Sequence, residues 1–186
     1  EPSFAGISGG RTSALMAALL DPRVQLCFEN TGREHIKTLE FLLCLEDALE
    51  RPIVWLEWRP PARKGAPPKE FGFAVVNFAT CVKRVPGDPR AGGALFEGLL
   101  QALADYRATK GEGPIVPYPN QRLCTTYLKH RVQRAYAASL GITLNTPQTQ
   151  YVGLRADEPK RVTRLQQYAT TMRSLETPLA EVGMTK

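Results

Sequence analysis

The sequence predicts an α/β protein with a doubly wound, mainly parallel sheet and helices on both faces. Apolar strand-like segments alternate with helical segments from residue 3 to residue 58, and glycine or proline marks the breaks between them. Polar side chains gather where the first two of these strands end. Strands that alternate with helices pair in parallel, and such sheets bind ligands beyond the carboxyl ends of their strands.

The first part of the chain is predicted as strand, helix, strand, helix, strand. Helical spacing of the leucines and Pro52 as a stop define the second helix best. In order, the elements are a strand over 3–7, a helix over 13–20, a strand over 24–28, a helix over 34–49 and a strand over 53–58.

The rest of the chain gives a mixed pattern. Residues 73–82 are equally compatible with a strand over 73–78 and with a helix that runs into residue 82. The other predicted elements are a loop over 59–68, a helix over 94–106, a linker over 111–119, a helix over 123–140 that Gly141 ends, and a strand over 149–154.

Length and composition are those of one globular domain over 1–186, with 43% hydrophobic and 23% charged residues. No apolar run approaches the roughly 20 residues of a membrane helix, so we expect no membrane association and a cytoplasmic location. Residues 178–179 predict the start of a further helix. The net charge of +6 favours anionic partners, either an anionic small molecule or a nucleic acid acceptor, and a homodimer is left open.

The four cysteines, Cys27, Cys44, Cys81 and Cys124, show no Cys-x-x-Cys spacing, which argues against a zinc ribbon and a redox pair. Cys27 and Cys44 are predicted to be inert core residues, because their segments are apolar. Cys81 and Cys124 have more polar neighbours and are the candidates for thiol chemistry. An iron–sulfur cluster would need ligands beyond these two.

The first strand leads into Ser-Gly-Gly-Arg-Thr-Ser at 8–13, a glycine turn at the start of a helix. Glycine lets the backbone approach a ligand, and the N–H groups and dipole of a helix start attract phosphate. Three hydroxyls and Arg11 favour a phosphate site over an ordinary turn capped by Thr12 or Ser13. The spacing is neither the Walker nor the dinucleotide-binding pattern.

Glu-Asn-Thr-Gly at 29–32 follows the second strand, and in isolation it is equally compatible with a ligand loop and with a turn whose Glu34 faces the helix dipole.

Arg122 and Lys129 are seven residues apart, which is about two turns of an α-helix, so they can converge on one anion. The alternative is a basic surface helix.

Gly153, Arg155, Glu158 and Arg161 follow the last predicted strand, which puts Arg155 at a strand end. The alternative, a salt-bridged surface loop, is preferred for Asp157 and Lys160.

These motifs, in this order, resemble the PP-loop ATP pyrophosphatase superfamily and, within it, the phosphoadenosine phosphosulfate reductase-like family. Residues 8–13 resemble its phosphate loop, 29–32 its Asp-Thr-Gly segment, 122–129 its Arg-x-Cys-x-x-x-x-Lys pattern, and 153–161 its Gly-x-Arg-x-x-Glu…Arg segment. Thr12 and Asn30 stand where the family often has aspartate. The change at Thr12 fits the reductase-like branch better than the amidating and thiolating branches.

The resemblance implies an enzyme that cleaves ATP at the α–β phosphate bond, adenylates an acceptor oxygen and releases pyrophosphate. One alternative is a reductase of adenylyl sulfate or its 3′-phosphorylated form, in sulfur metabolism, with its catalytic thiol in a missing tail. Another is a non-catalytic nucleotide-binding module in nucleic-acid modification or defence.

The resemblance also assigns site residues. Catalytic roles fall on Arg155, Lys129, Arg122 and Cys124, and Glu158 is implied either to orient an arginine or to help hold Mg²⁺. The family's next helix would begin near Pro178, so the resemblance also implies that a C-terminal helix or tail is missing from this chain. The nucleotide-binding residues that it implies are Ser8, Gly9, Gly10, Arg11, Thr12, Ser13, Phe28, Asn30, Thr31, Gly32, Gly153 and Arg161.

Overall fold

The computed structural model describes residues 2–6, 21–84, 93–143, 145–167, 173–183 and 185. None of the helices within these residues is long and apolar enough to span a membrane. The elements are β1 (Ser3–Gly6), β2 (Gln25–Asn30), α1 (Ile36–Leu49), β3 (Val54–Arg59), β4 (Gly72–Val76), α2 (Ala94–Ala108), a π-helix (Cys124–His130), α3 (Arg131–Ser139), β5 (Gln148–Tyr151), α4 (Pro159–Gln166), β6 (Arg173–Glu176) and α5 (Pro178–Glu181). Two 3₁₀ turns lie at Pro68–Glu70 and Pro119–Gln121.

Six strands form one open, mostly parallel sheet in the order β4-β3-β2-β1-β5-β6. β1 is parallel to β2 and to β5, and β5 is parallel to β6. β4 is antiparallel to β3, with Trp58 opposite Phe73. The predicted α/β class is therefore confirmed, and residues 72–76 adopt the strand alternative rather than the helix.

The contacts within the chain divide it into two compact units. The first unit comprises Glu1–Phe28, Glu46–Val54 and Ala138–Lys186, and the second comprises Glu29–Leu45 and Trp55–Ala137. The single domain over 1–186 stays a prediction.

In the first unit, β1 is held on both sides by parallel neighbours. Phe4 and Ala5 are buried and lie opposite Gln25 and Leu26 of β2. At the start of the strand, the Ser3 hydroxyl donates a hydrogen bond of 2.6 Å to Asp21 Oδ2, and this bond lowers the pKa of Asp21. These contacts hold β1 between β2 and β5 in the sheet.

In the second unit, aromatic side chains build much of the core. Trp58 on β3 is buried and meets Phe71 edge to face, with ring centroids 5.8 Å apart. Phe71 also lies 6.1 Å from the ring of Tyr127 on the π-helix. On α2, a Cβ at Gly98 would lie 3.2 Å from the ring of Trp58, so the glycine allows the helix to approach β3 closely.

Candidate functional site

The strand order places a candidate ligand site at the carboxyl ends of β1 and β5. From β1 the chain adds β2, β3 and β4 on one side, and it later adds β5 and β6 on the other, so the order reverses beside β1. Both strands belong to the first unit, and Ala5 lies opposite Tyr151. Open α/β sheets bind ligands in the crevice at such a reversal.

Two predicted motifs follow these two strands in sequence. The phosphate-loop residues Ser8, Gly9, Gly10, Arg11, Thr12 and Ser13, and the helix predicted over 13–20, lie outside the described residues. After β5, Gly153 is exposed and Leu154 is buried, which anchors the chain just before Arg155.

Arg155 is oriented by its own turn. Its Nε donates to Asp157 Oδ1 at 2.9 Å and its Nη2 to Asp157 Oδ2 at 3.4 Å, a two-point contact that raises the pKa of the guanidinium. The backbone N–H of Arg155 donates to Glu158 Oε2 at 3.3 Å. Arg155 therefore presents a permanent positive charge near the carboxyl end of β5, in a geometry that Asp157 fixes.

Both carboxylate oxygens of Glu158 have hydrogen-bond partners within the protein. Its Oε2 accepts the N–H of Arg155, and its Oε1 pairs with Arg161 Nη1. The bond from the Arg155 backbone, followed by that from Arg161, lowers the pKa of Glu158. No group of three His, Cys, Asp or Glu side chains that could hold a metal occurs within the described part of the chain. Both oxygens of Glu158 thus accept hydrogen bonds within the turn, and its role as a Mg²⁺ ligand stays a prediction.

At the end of β2, Asn30 belongs to a buried polar network. Asn30 and Glu57 are both fully buried, and Asn30 Nδ2 donates to Glu57 Oε1 at 2.7 Å and to the Val82 carbonyl at 2.8 Å. The Val82 N–H donates back to Glu57 Oε1 at 2.6 Å, and Arg59 Nη1 donates to Oε2 at 3.2 Å. The network ties the segment around Val82 to the ends of β2 and β3.

The neighbours of Asn30 are also occupied within the protein. Asn30 Oδ1 accepts the N–H of Gly32 at 3.0 Å, and Gly32 has φ +76°, a value that favours glycine. The Thr31 hydroxyl donates to Glu34 Oε1 at 3.0 Å, and Phe28 is buried. Nucleotide contacts of Phe28, Asn30, Thr31 and Gly32 stay predictions, and the observed bonds show that Asn30 shapes this turn.

Glu29 is a buried carboxyl without a hydrogen-bond partner on one oxygen. Its exposed fraction is 6%, and Oε1 is buried and unpaired. Burial raises the pKa of Glu29 to about 7, and the positive charge of Lys129 opposes this rise. Lys129, on the π-helix, therefore acts electrostatically on a carboxyl that changes its charge near neutral pH.

The helix that carries Lys129 does not have the predicted geometry. Residues 124–130 form a π-helix, in which the N–H of Arg131 donates to the carbonyl of Thr126, five residues back. Arg122 precedes the helix at φ +47°, in the left-handed region. The expectation that Arg122 and Lys129 share a helix face assumed a regular α-helix that includes both residues, so this assumption was wrong. Their convergence on one anion stays a prediction that rests on the resemblance alone.

Arg122 and Cys124 line a cavity of about 280 Å³ in the second unit. The other lining residues are Phe96, Pro117, Tyr118 and Leu123. Tyr118 is 56% exposed, and Cys124 is an exposed free thiol. The described part of the lining thus combines aromatic and apolar side chains with the permanent cation of Arg122 and the accessible sulfur of Cys124.

The cysteines divide into two buried and two exposed thiols. Cys27 is fully buried on β2, as predicted. The expectation for Cys44 was wrong, because α1 buries Leu39, Leu42 and Leu45, which turns Cys44 toward solvent. Burial raises the pKa of the Cys81 thiol, which makes it a weaker nucleophile than an ordinary cysteine.

Three residues that shape these sites were not predicted from the sequence as functional. Glu57 is a charged residue inside an apolar strand, and this is a signal that could have identified it. Glu29 offers no comparable signal, because its burial depends on distant residues. Asp157 was assigned to the surface, yet it fixes the Arg155 side chain.

No family model matches the chain, and neither the curated proteins nor the solved structures contain a match. The relation to the phosphoadenosine phosphosulfate reductase-like family is thus a resemblance of motifs.

Proposed function

We propose that the chain is an adenine-nucleotide-binding enzyme of the PP-loop type, which cleaves ATP at the α–β phosphate bond and adenylates an acceptor. One observation carries the proposal: β1 and β5 are parallel neighbours where the strand order reverses. The chain leaves β1 toward Ser8-Gly9-Gly10 and leaves β5 toward Arg155. A glycine turn and a fixed arginine after adjacent strands are what a polyphosphate requires.

In the proposed reaction, an acceptor oxygen forms a bond to the α-phosphorus of ATP. The bond from the α-phosphorus to the bridging oxygen breaks, and pyrophosphate leaves with the electron pair. The chain's contribution is to position the phosphates and neutralise the leaving group, and Arg155 is the described residue best suited to this role. Lys129, Arg122 and Cys124 are candidates for the acceptor side of the reaction.

ATP arrives with Mg²⁺ on its phosphates in most enzymes of phosphoryl and nucleotidyl chemistry, and such an ion needs few protein ligands. The proposal therefore does not require Glu158 as a ligand. It requires the positive charge of Arg155, which the contacts of Nε and Nη2 with Asp157 orient.

Thermal unfolding with and without Mg-ATP tests the nucleotide site, followed by an assay for pyrophosphate release. A ligand that binds the folded state alone adds about 2.7 kcal/mol of stability at a hundredfold excess over its Kd. We expect Mg-ATP to raise the midpoint of the wild type, and Arg155→Ala to reduce this rise and to abolish turnover.

Arg164→Ala is the matched control, because Arg164 is an exposed arginine of α4, a helix of the same unit. It removes the same charge and should keep both the shift and the turnover. The Arg155–Asp157 pair is solvent-exposed, and such pairs add little stability, so Arg155→Ala should fold.

Adenosine 3′,5′-bisphosphate separates the proposal from a reductase of the phosphoadenylyl sulfate type. A midpoint shift with the bisphosphate and none with Mg-ATP would favour the reductase. A shift with Mg-ATP that Arg155→Ala reduces as little as Arg164→Ala would contradict the role of Arg155. No shift with either ligand would contradict nucleotide binding altogether.

A further inference from the structure

The cavity in the second unit has the chemistry of a site for one nucleobase and its phosphate. Its walls are the rings of Phe96 and Tyr118 together with Pro117 and Leu123, and Arg122 supplies the charge. A volume of about 280 Å³ lies near the lower end of the range for small-molecule sites, which suits a single base rather than a whole nucleotide.

The exposure of Tyr118 is the second indication. Tyr118 lines the cavity and is 56% exposed, so its side chain is accessible to a ligand. Val116, two residues earlier, is 76% exposed. Nucleic-acid sites without sequence preference combine a stacking aromatic ring with a cation that contacts the backbone.

Charge complementarity favours a nucleic acid over an apolar peptide. The chain carries a formal net charge of +6, and Arg122 is permanently charged. Among the described residues that line the cavity, no carboxylate offsets Arg122. An arginine contacts a phosphate through two parallel hydrogen bonds, which an uncharged apolar segment cannot accept.

We propose that this cavity binds an unpaired base of a single-stranded nucleic acid, with the base against Tyr118 and Phe96 and the adjoining phosphate on Arg122. That the nucleic acid is also the acceptor of the adenylation rests on the proposed function. Binding to the cavity does not, because it requires neither ATP nor turnover.

Alkylation of cysteine provides a direct readout of occupancy. Cys124 lines the cavity and is exposed, whereas Cys44 is exposed on α1 and does not line it. With N-ethylmaleimide, a single-stranded oligonucleotide of about ten nucleotides should slow modification of Cys124 at least about fivefold and leave Cys44 unchanged. Cys27 and Cys81 are buried and should react slowly throughout.

Two substitutions test the two halves of the site through the Kd for the same oligonucleotide. Tyr118→Ala should weaken binding about tenfold or more, and Tyr118→Phe should bind like wild type, because stacking needs the ring and not the hydroxyl. Arg122→Gln should weaken binding and reduce the slope of log Kd against log salt concentration by about one, the change expected for one lost phosphate contact. Arg134→Gln is the charge-matched control, because Arg134 is an exposed residue of α3, and it should leave the Kd within about twofold.

The outcomes separate this proposal from the proposed function. Protection of Cys124 with equal protection of Cys44, or wild-type affinity in Tyr118→Ala, would overturn the base site. Protection by free nucleoside monophosphate but not by the oligonucleotide would also overturn it in favour of a small-molecule site. A protein that binds the oligonucleotide as expected but releases no pyrophosphate would support the site and contradict the adenylating function.

Discussion

Asn30→Asp tests whether the buried carboxylate of Glu57 requires an amide beside it. Asn30 Nδ2 lies 2.7 Å from Glu57 Oε1 and 2.8 Å from the Val82 carbonyl, and both side chains are fully buried. The substitution keeps the shape of the side chain. It replaces a donor of two hydrogen bonds with a second carboxyl that faces the first.

The introduced carboxyl can either stay ionised beside Glu57 or take up a proton, and the response that costs less free energy sets the loss of stability. If both carboxylates stayed ionised, their repulsion over the 2.7 Å contact would cost about 6 kcal/mol at an effective dielectric constant of about 20. Protonating the introduced carboxyl at pH 7 costs about 4 kcal/mol, at about 1.4 kcal/mol per pH unit above a reference pKa of about 3.9. Protonation is less costly and restores a donor toward Glu57, but it leaves the Val82 carbonyl without its donor. We therefore expect a loss of at least about 4 kcal/mol at pH 7.

The loss should depend on pH in a defined direction. The folded protein raises the pKa of the introduced carboxyl above its unfolded value, so the folded state binds one more proton than the unfolded state between these values. The stability that this proton confers is present at low pH and is lost as the pH rises. Relative to wild type, the deficit should shrink by about 1.4 kcal/mol for each unit from about pH 7 down to about pH 5.

Urea denaturation of the variant and the wild type at each pH measures this deficit, and the comparison cancels groups that titrate in both proteins. Asn30→Ala is the control, because it loses the same bonds without adding a carboxyl, and its deficit should not change with pH. If the aspartate variant shows a constant deficit that equals that of the alanine variant, the proposed carboxyl–carboxyl contact is refuted.

Three further substitutions test other features by denaturation. Burial raises the pKa of Glu29 to about 7, so the wild type loses stability as the pH rises from about 4.5 to about 7. Glu29→Gln has no such carboxyl and should not show this loss. At about pH 8, the free energy of unfolding of the variant should therefore exceed that of the wild type by about 3 kcal/mol. A Cβ at Gly65 (φ +73°) would lie 2.7 Å from Thr109 Cγ2, whereas a Cβ at Gly111 (φ +72°) would have no atom within 4 Å. Gly111→Ala should lower the free energy of unfolding by about 1 kcal/mol, and Gly65→Ala should lower it by more. Equal losses in the two variants would contradict the contact with Thr109. Arg122→Gly should remove the backbone strain of a side chain at φ +47° and add about 0.5–1 kcal/mol to the free energy of unfolding. The same variant should bind the oligonucleotide more weakly. A loss of stability would argue against strain at this residue.

The fold could be predicted where its signals are local. α1 is predicted well because leucines at helical spacing and a proline stop lie within one segment. β6 was missed because Arg173–Glu176 contains one apolar side chain, so a strand there depends on pairing with β5 and not on its own pattern. The direction of β4 was also beyond reach, since antiparallel pairing is decided by the partner strand.

The candidate site could be predicted only in part for a related reason. The position of Arg155 after a strand is visible in the sequence, because strand ends are local features. The hydrogen bonding of Asn30 depends on Glu57, which lies 27 residues away in the sequence and packs beside it only in the folded chain. The π-helix likewise leaves no periodic signal, because its apolar residues are few and fit an α-helix equally well.

The pairing of Asn30 with Glu57 also changes how the departure from the family pattern is understood. An asparagine where the family often has aspartate would count against a functional site if the carboxylate itself were needed there. In this chain a buried carboxylate already stands within hydrogen-bond distance, on β3, and it accepts from both Asn30 and the Val82 N–H. A second carboxylate at position 30 would face it at high free-energy cost, whereas an amide satisfies both it and the Val82 carbonyl. The asparagine therefore fits the buried Glu57, and its presence does not count against the proposed nucleotide site.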